Sequence, residues 1–233
     1  MDDSRTRALI GDAASDRLKK TTVAVFGVGG VGSYAAEALA RAGVGTLVLI
    51  DDDVVKPSNC NRQLVALSST IGMRKTQVMR ERIMDINPQA RVVTHEIFYN
   101  ADTATQVFEG IKIDFVVDAI DSLPSKIELI CECARRGLST ISAMGAGNKL
   151  YPERFEVTDL FRTSYDPIAK RLRKELKERG IRRLPVVCST EQPVSTSASE
   201  DGKRVPASIS FVPSVCGLLM AGYAVRTITE AAK

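Results

Sequence analysis

Six residues, Gly27-Val28-Gly29-Gly30-Val31-Gly32, leave this chain few folds to choose from. They follow Val23-Ala24-Val25-Phe26 and open an alanine-rich segment with apolar residues at 31, 35, 38, 39 and 42. A short apolar run ending in glycine suits a strand buried on both faces of a parallel sheet, and the spacing after it is helical. At such a joint Gly27, Gly29, Gly30 and Gly32 permit a tight turn and let backbone N–H groups approach a phosphate. Leu47-Val48-Leu49-Ile50 reads as the next buried strand. Asp51 closes it, where a carboxylate can accept hydrogen bonds from ribose hydroxyls. The pattern predicts a bound nucleotide. The competing reading gives the glycines a packing role alone. The loop does not choose among nucleotides, and a dinucleotide dehydrogenase is its default meaning.

The rest of the chain extends this pattern. A helix is expected over 75–86, stopped by Asn87-Pro88, and an alternating strand over 91–96. Phe115-Val116-Val117 reads as another buried strand, 124–136 as a helix with proline in its first turn, and 139–143 as a fifth strand. Strand and helix alternate from about residue 23 to 143, which predicts an α/β, Rossmann-like doubly wound and mainly parallel sheet. Beyond Gly147 the pattern changes to a basic helix near 166–180, a Ser/Thr-rich loop at 195–199 and a final helix near 214–231. Residues 1–150 are therefore expected to hold the nucleotide, with 151–233 as a C-terminal extension packed on the same domain.

Composition narrows the class. With 233 residues, 44% of them hydrophobic, one substantial core is within reach. The five cysteines are odd in number and form no Cys-x-x-Cys pair, so reduced thiols are expected, with no disulfide framework and no zinc site. Met1-Asp2-Asp3-Ser4-Arg5 lacks the apolar run of a signal peptide. The longest apolar stretch, 212–225, is interrupted by Pro213, Ser214 and two glycines and is shorter than the roughly 20 residues of a membrane span. A cytoplasmic protein with no membrane association is expected.

What argues against the dehydrogenase lies just past Asp51. Asp53 is followed by Asn59-Cys60-Asn61-Arg62-Gln63, a loop rich in amides with one guanidinium suited to phosphate oxygens. Lys75 stands at the start of the next helix, where a compact cation can meet a β- or γ-phosphate. Asp118 and Asp121 flank the end of the fourth strand, where a carboxylate can hold Mg²⁺ directly or through water. Together they describe a triphosphate site with its counterion. Singly, each has a plainer meaning: a solvated lysine, a surface ion-pair arginine, or an aspartate capping the helix near Pro124.

This set of motifs resembles the ThiF- and MoeB-like adenylylating superfamily, which contains the ubiquitin-activating enzymes and the bacterial activators of sulfur-carrier proteins. The resemblance covers about residues 5 to 150. It implies that Asp51 binds ribose, that Arg62 and Lys75 bind phosphates, and that Asp121 serves Mg²⁺. Asp53, Asn59 and Gln63 fall within its nucleotide-binding motifs. It further implies a homodimer in which an N-terminal arginine, Arg5 or second Arg7, reaches the neighbouring subunit's phosphates. Within the superfamily, Ala143-Met144-Gly145-Ala146-Gly147-Asn148-Lys149-Leu150, Phe155-Glu156-Val157-Thr158-Asp159-Leu160 and Asp166-Pro167-Ile168-Ala169-Lys170-Arg171 resemble the tRNA threonylcarbamoyladenosine dehydratases. That likeness implies ATP-dependent cyclisation of a modified adenosine beside the anticodon, through a carboxylate-adenylate. It leaves a cysteine desulfurase or sulfur-acceptor partner, and a bound monovalent cation, open.

One segment supports RNA independently of any resemblance. Lys170, Arg171, Arg173, Lys174, Lys177, Arg179, Arg182 and Arg183 face only Glu175 and Glu178 within 170–183, an excess larger than the whole chain's net charge of +4. Concentrated positive charge suits a phosphate backbone; a solvated helix face is the plainer alternative. The cysteines are expected to be bystanders. Cys188 lies in an apolar strand-like run and reads as a packed thiol, and Cys131-x-Cys133 cannot point one way on a helix. Cys60 sits inside the amide-rich loop. His95, the one histidine, reads as structural. The rivals are an activator of a small sulfur-carrier protein, an NAD-dependent oxidoreductase, and a non-catalytic nucleotide-sensing scaffold.

Overall fold

The computed structural model of the protein describes residues 1–197, 199–200 and 203–230. Two helices, α1 (Ser4–Ile10) and α2 (Asp12–Lys20), lead into β1 (Thr22–Phe26), the glycine turn and α3 (Gly32–Ala42). There follow β2 (Thr46–Ile50), α4 (Lys75–Ile86), β3 (Arg91–His95), α5 (Ala104–Phe108), β4 (Phe115–Asp118), α6 (Leu123–Arg136) and β5 (Ser139–Ala143). The remainder is β6 (Phe155–Asp159), α7 (Pro167–Glu178), β7 (Pro185–Ser189), the short strands β8 (Ser199–Glu200) and β9 (Lys203–Arg204), and α8 (Phe211–Glu230).

Seven strands form one sheet in the order β3-β2-β1-β4-β5-β7-β6, parallel except for β6 at the edge. The chain winds outward from β1 to β3 on one side, then crosses to β4 and continues on the other. Phe26 pairs with both Ile50 and Asp118, and Asp118 pairs with Ser142, so four strand ends are level where the winding reverses. A ligand crevice belongs outside the carboxyl ends of the strands at such a switch point.

Each face of the sheet is closed by apolar helix surface. On one, Val23, Val25, Leu47 and Leu49 pack with Leu39 of α3 and Met220 of α8. On the other, Phe26 meets Tyr99 edge-on at 4.9 Å and stacks with Phe108 at 5.8 Å. A third cluster joins Leu172 and Leu176 of α7 to Ile130 of α6 and Val186 of β7. The C-terminal strands β6 and β7 extend the same sheet that holds the glycine turn, and β8 and β9 pair apart from it.

Helix α8 is longer than the sequence pattern suggests. It begins at Phe211, because Pro213 in a first turn removes no hydrogen bond the helix needs. Its twenty residues are long and apolar enough to cross a membrane, by length and composition alone. Here Val212, Cys216, Met220 and Ala224 are fully buried in the core shared with α3. Gly217 permits the approach, since a Cβ there would lie 2.2 Å from the Val31 carbonyl oxygen.

Other boundaries shift for identifiable reasons. Helix α3 starts at Gly32, one residue late, because Val31 is its N-cap. Ser199 belongs to β8, which pairs antiparallel with β9, so the expected loop at 195–199 ends sooner; Ala198, like Ala231 at the predicted end of the last helix, lies outside the described residues. Helices α1, α2 and α5 and strand β6 have no counterpart in the sequence reading. The first two are short and largely polar, and β6 is an edge strand whose fully buried face is limited to Phe155.

Candidate functional site

The strand ends enclose a crevice of 430 Å³ between the glycine turn and the loop after β5. Gly27 has φ +84°, and a Cβ on it would stand 2.7 Å from the Ala119 carbonyl oxygen. A Cβ on Gly32 would meet the Gly27 carbonyl oxygen at 1.7 Å. Both glycines are therefore needed by the turn itself. Gly29 and Gly30 line the crevice, and a Cβ on Gly30 would stand 3.3 Å from Arg62 Cγ.

Asp51 leaves the tip of β2 and braces this turn. Its Oδ2 accepts from the Val28 N–H at 2.7 Å and its Oδ1 from the Asp53 N–H at 2.9 Å. Burial holds the carboxyl above its ordinary pKa, opposed by the ammonium of Lys75 at 3.8 Å and by the two backbone donors. Lys75 is 5% exposed, with Nζ 2.6 Å from Asp53 Oδ2. Its position at the first turn of α4 places a buried cation on the crevice wall. Removing lysine's charge from water is costly, and the two aspartates offset that cost.

Arg62 lines the crevice from the loop after β2. Its Nη1 donates to the Ser58 carbonyl at 3.0 Å and to Asn61 Oδ1 at 2.9 Å. Asn59 is buried and its Oδ1 accepts from the Lys56 N–H, so that acceptor serves the local turn. Gln63 is 8% exposed and its Oε1 has no hydrogen-bond partner. A buried orphan acceptor costs about 1–3 kcal/mol, and Gln63 is one of the residues that line the crevice.

The structure separates the two aspartates after β4. Asp118 is fully buried, accepting from Lys126 Nζ at 2.8 Å and from Ser142 Oγ at 2.6 Å. It is committed to an internal ion pair and is no metal ligand. Asp121 is exposed and lines the crevice. No group of three or more His, Cys, Asp or Glu that could hold a metal exists among the described residues. One open carboxylate nevertheless fits Mg²⁺, which takes one or two carboxylates together with a nucleotide's phosphates.

The remaining candidates fall elsewhere. Arg5 is exposed on α1 and does not line the crevice. Nor does Arg7, which is tied to Asp12 at 2.8 Å and Asp16 at 2.9 Å. The eight basic residues do not form one patch. Lys170, Arg171, Lys174 and Lys177 are exposed along α7, which starts beside the crevice at Ile168. Arg173 turns inward and donates to the Thr163 carbonyl at 3.0 Å. Arg179 is exposed and pairs with Glu175. Arg182 and Arg183 lie before β7, at the opposite end of the sheet, beside Arg162 and Tyr223 around a separate cavity of 610 Å³.

The thiols stand apart from the crevice. Burial pushes Cys133, Cys188 and Cys216 up to about 12, and Cys60 is exposed outside the crevice lining. His95 is half-buried on β3, and burial lowers its pKa.

Sequence reasoning missed an ion pair beneath the crevice wall. Asp166 Oδ1 caps α7 through the Ile168 and Ala169 N–H groups at 3.0 Å, while Oδ2 accepts from the Gly145 N–H at 3.1 Å and from Lys149 Nζ at 3.2 Å. Lys149 also donates to the Gly145 carbonyl. The Asp166-Pro167 pair is a legible helix-start signal, but nothing in the sequence announces Lys149 as its partner.

A glycine turn at a switch point, with Asp51, Lys75, Arg62 and Asp121 on the wall of the same crevice, is the architecture of a nucleotide-binding α/β protein. Comparison places it more narrowly: the ThiF family profile matches residues 3–233, and the chain belongs to the ThiF family. It is 44% identical to the tRNA threonylcarbamoyladenosine dehydratase of Bacillus subtilis, over 97% of this chain and 94% of that protein. The crystal structures of Escherichia coli tRNA N6-threonylcarbamoyladenosine dehydratase, TcdA, with AMP and with ATP match it with TM-scores of 0.91 and 0.90. Their identities are 36% and 35%, and each match covers 98% of this chain and 94% of the other.

Proposed function

We propose that this chain uses ATP to dehydrate N6-threonylcarbamoyladenosine in tRNA, closing it into a ring through a carboxylate-adenylate. The observation that carries this reading is that Lys75, Arg62 and Asp121 line one crevice with the glycine turn, and no cysteine is among its described lining residues. A free carboxylate is a poor electrophile. Its attack on the α-phosphorus of ATP expels pyrophosphate and leaves an acyl-adenylate. A nucleophile within the same modified base then attacks the acyl carbon and expels AMP. Tethering makes the second step intramolecular, which is worth several orders of magnitude and needs no thiol relay.

Arg62 and Lys75 act on the phosphates, where fixed cations stabilise charge that grows in the transition state. Asp53 holds Lys75 until the nucleotide arrives. Asp51 orients the turn and accepts from the ribose, and Asn59 and Gln63 shape the loop beneath. Asp121 would hold Mg²⁺, which supplies charge neutralisation on the departing pyrophosphate. Residues 1–150 carry this adenylylation machinery and 151–233 the RNA-facing and dimer elements, with Arg5 completing the site of a second copy. The exposed cations of α7 track the tRNA backbone. The protein works in the cytoplasm.

Mass spectrometry of tRNA nucleosides from cells with and without the protein tests the reading. Loss of the cyclised base with accumulation of the open form is expected. Unchanged nucleosides would overturn the substrate. Pyrophosphate exchange that responds to a small carrier protein, and not to tRNA, would favour an activator of sulfur carriers instead.

A further inference from the structure

A short strap at 206–208 lines the crevice through Pro206 and Ser208, and both it and the segment 194–196 are hydrogen-bonded to Asn148. Asn148 has φ 59°, a left-handed conformation that asparagine tolerates better than most residues. Its N–H donates to the Ala207 carbonyl at 2.7 Å, and its Oδ1 accepts from the Ala207 N–H at 2.7 Å and from Thr196 Oγ1 at 3.2 Å. Its carbonyl accepts from the Val194 N–H at 2.8 Å. Gly147 makes room, since a Cβ there would lie 2.6 Å from Pro206 Cβ. Pro206 and Ser208 line the crevice together with Gly145, Ala146 and Gly147 of the loop after β5.

The second attachment is on the nucleotide side. Asn61 Nδ2 donates to the Ser208 carbonyl at 3.0 Å and to Ser208 Oγ at 3.2 Å. The same amide's Oδ1 accepts from Arg62 Nη1 at 2.9 Å. One exposed side chain therefore holds the strap by its nitrogen and the phosphate-facing guanidinium by its oxygen.

We propose that Asn61 is a positioning residue, coupling the strap at 206–208, on the crevice wall, to the orientation of Arg62. The proposal rests on the reading of Arg62 as a phosphate ligand. A substrate lodged against Pro206 and Ser208 steadies the strap, and the strap, through Asn61, sets the guanidinium for attack on the α-phosphorus. Coupling between two sites is reciprocal, so nucleotide on Arg62 must steady the strap by the same factor. Neither strap nor guanidinium alone offers this link. An aspartate at position 61 retains the oxygen for Arg62 and loses the donor to Ser208.

Hydrogen exchange at the Ala207 amide, with and without ATP and Mg²⁺, reads the coupling without any turnover. In the wild-type protein ATP is expected to slow that exchange by about fivefold or more. Asn61→Asp and Asn61→Ala are expected to abolish the slowing. Asn61→Ala is also expected to lower kcat for the modified tRNA by about tenfold while moving the KM for ATP by less than about threefold. Because Asn61 is exposed, its melting temperature should stay within about 2 °C of wild type. Slowing that survives in Asn61→Asp overturns the proposal, as does a fall in kcat matched by a fall in melting temperature. Wild-type slowing without any tRNA turnover supports the coupling and overturns the proposed substrate.

Discussion

At the scale of single residues, the site is built from groups whose meaning depends on what stands beside them. Asp118 and Asp121 are indistinguishable as letters, three positions apart in the same segment. Buried Lys126 claims the first and leaves the second open to the crevice. Arg173 is one basic residue among eight in its segment, yet it alone turns inward to hold the turn at Thr163. His95 offers a measurement at this scale. Burial lowers its pKa below the ordinary 6.5, so the unfolded chain binds its proton first as pH falls. The stability it contributes is present above about pH 6.5 and is lost as pH drops through the folded value. Thermal unfolding followed between pH 7.5 and 5.5 should therefore show a decline that His95→Asn flattens.

At the scale of elements, two helices make opposite predictions for chemically similar changes. In α8, Gly217 lies against the backbone of α3, 2.2 Å from Val31 oxygen for an added Cβ, whereas Gly222 would meet only the flexible tip of Arg226 at 3.3 Å. Gly217→Ala should cost about 1–3 kcal/mol in denaturant unfolding. Gly222→Ala should be neutral or stabilise by up to about 1 kcal/mol, from helix propensity. In α7, replacing exposed Lys174 and Lys177 by alanine should flatten the dependence of log tRNA affinity on log salt by about one unit per lost contact. Arg173→Ala should leave that slope intact and lower stability by about 1–3 kcal/mol. Most elements around the crevice were legible because a buried parallel strand and an amphipathic helix have different periods. Strand β6 was not, because an edge strand with one fully buried residue carries little alternation.

At the scale of the whole molecule, the crevice draws on both halves of the chain. Lys149 and Asp166 fix the loop after β5 to the start of α7, so that helix and the crevice wall share one buried ion pair. The proposed second copy can be tested by complementation. Arg5→Ala and Arg62→Ala are each expected to be inactive as separate proteins. A mixed dimer would contain one site with an intact Arg62 and the other copy's intact Arg5. Coexpression should restore up to about half the wild-type activity per mixed dimer, as one of its two sites is complete. Failure to restore any activity would place Arg5 outside the partner's site.

The amino-acid order alone determined the strand-turn-helix around Gly27, the carboxylate at the tip of β2 and the cations expected near a triphosphate. These follow from local rules: a strand buried on both faces is continuously apolar, and only glycine accepts the contacts that such a turn imposes. What the tertiary structure decided are pairings between distant segments: Asp118 with Lys126 and Ser142, Lys149 with Asp166, and Asn61 with Ser208. A lysine, an aspartate or an asparagine carries no periodic signal. Its role is set by which buried or exposed neighbour folding brings within 3 Å or so.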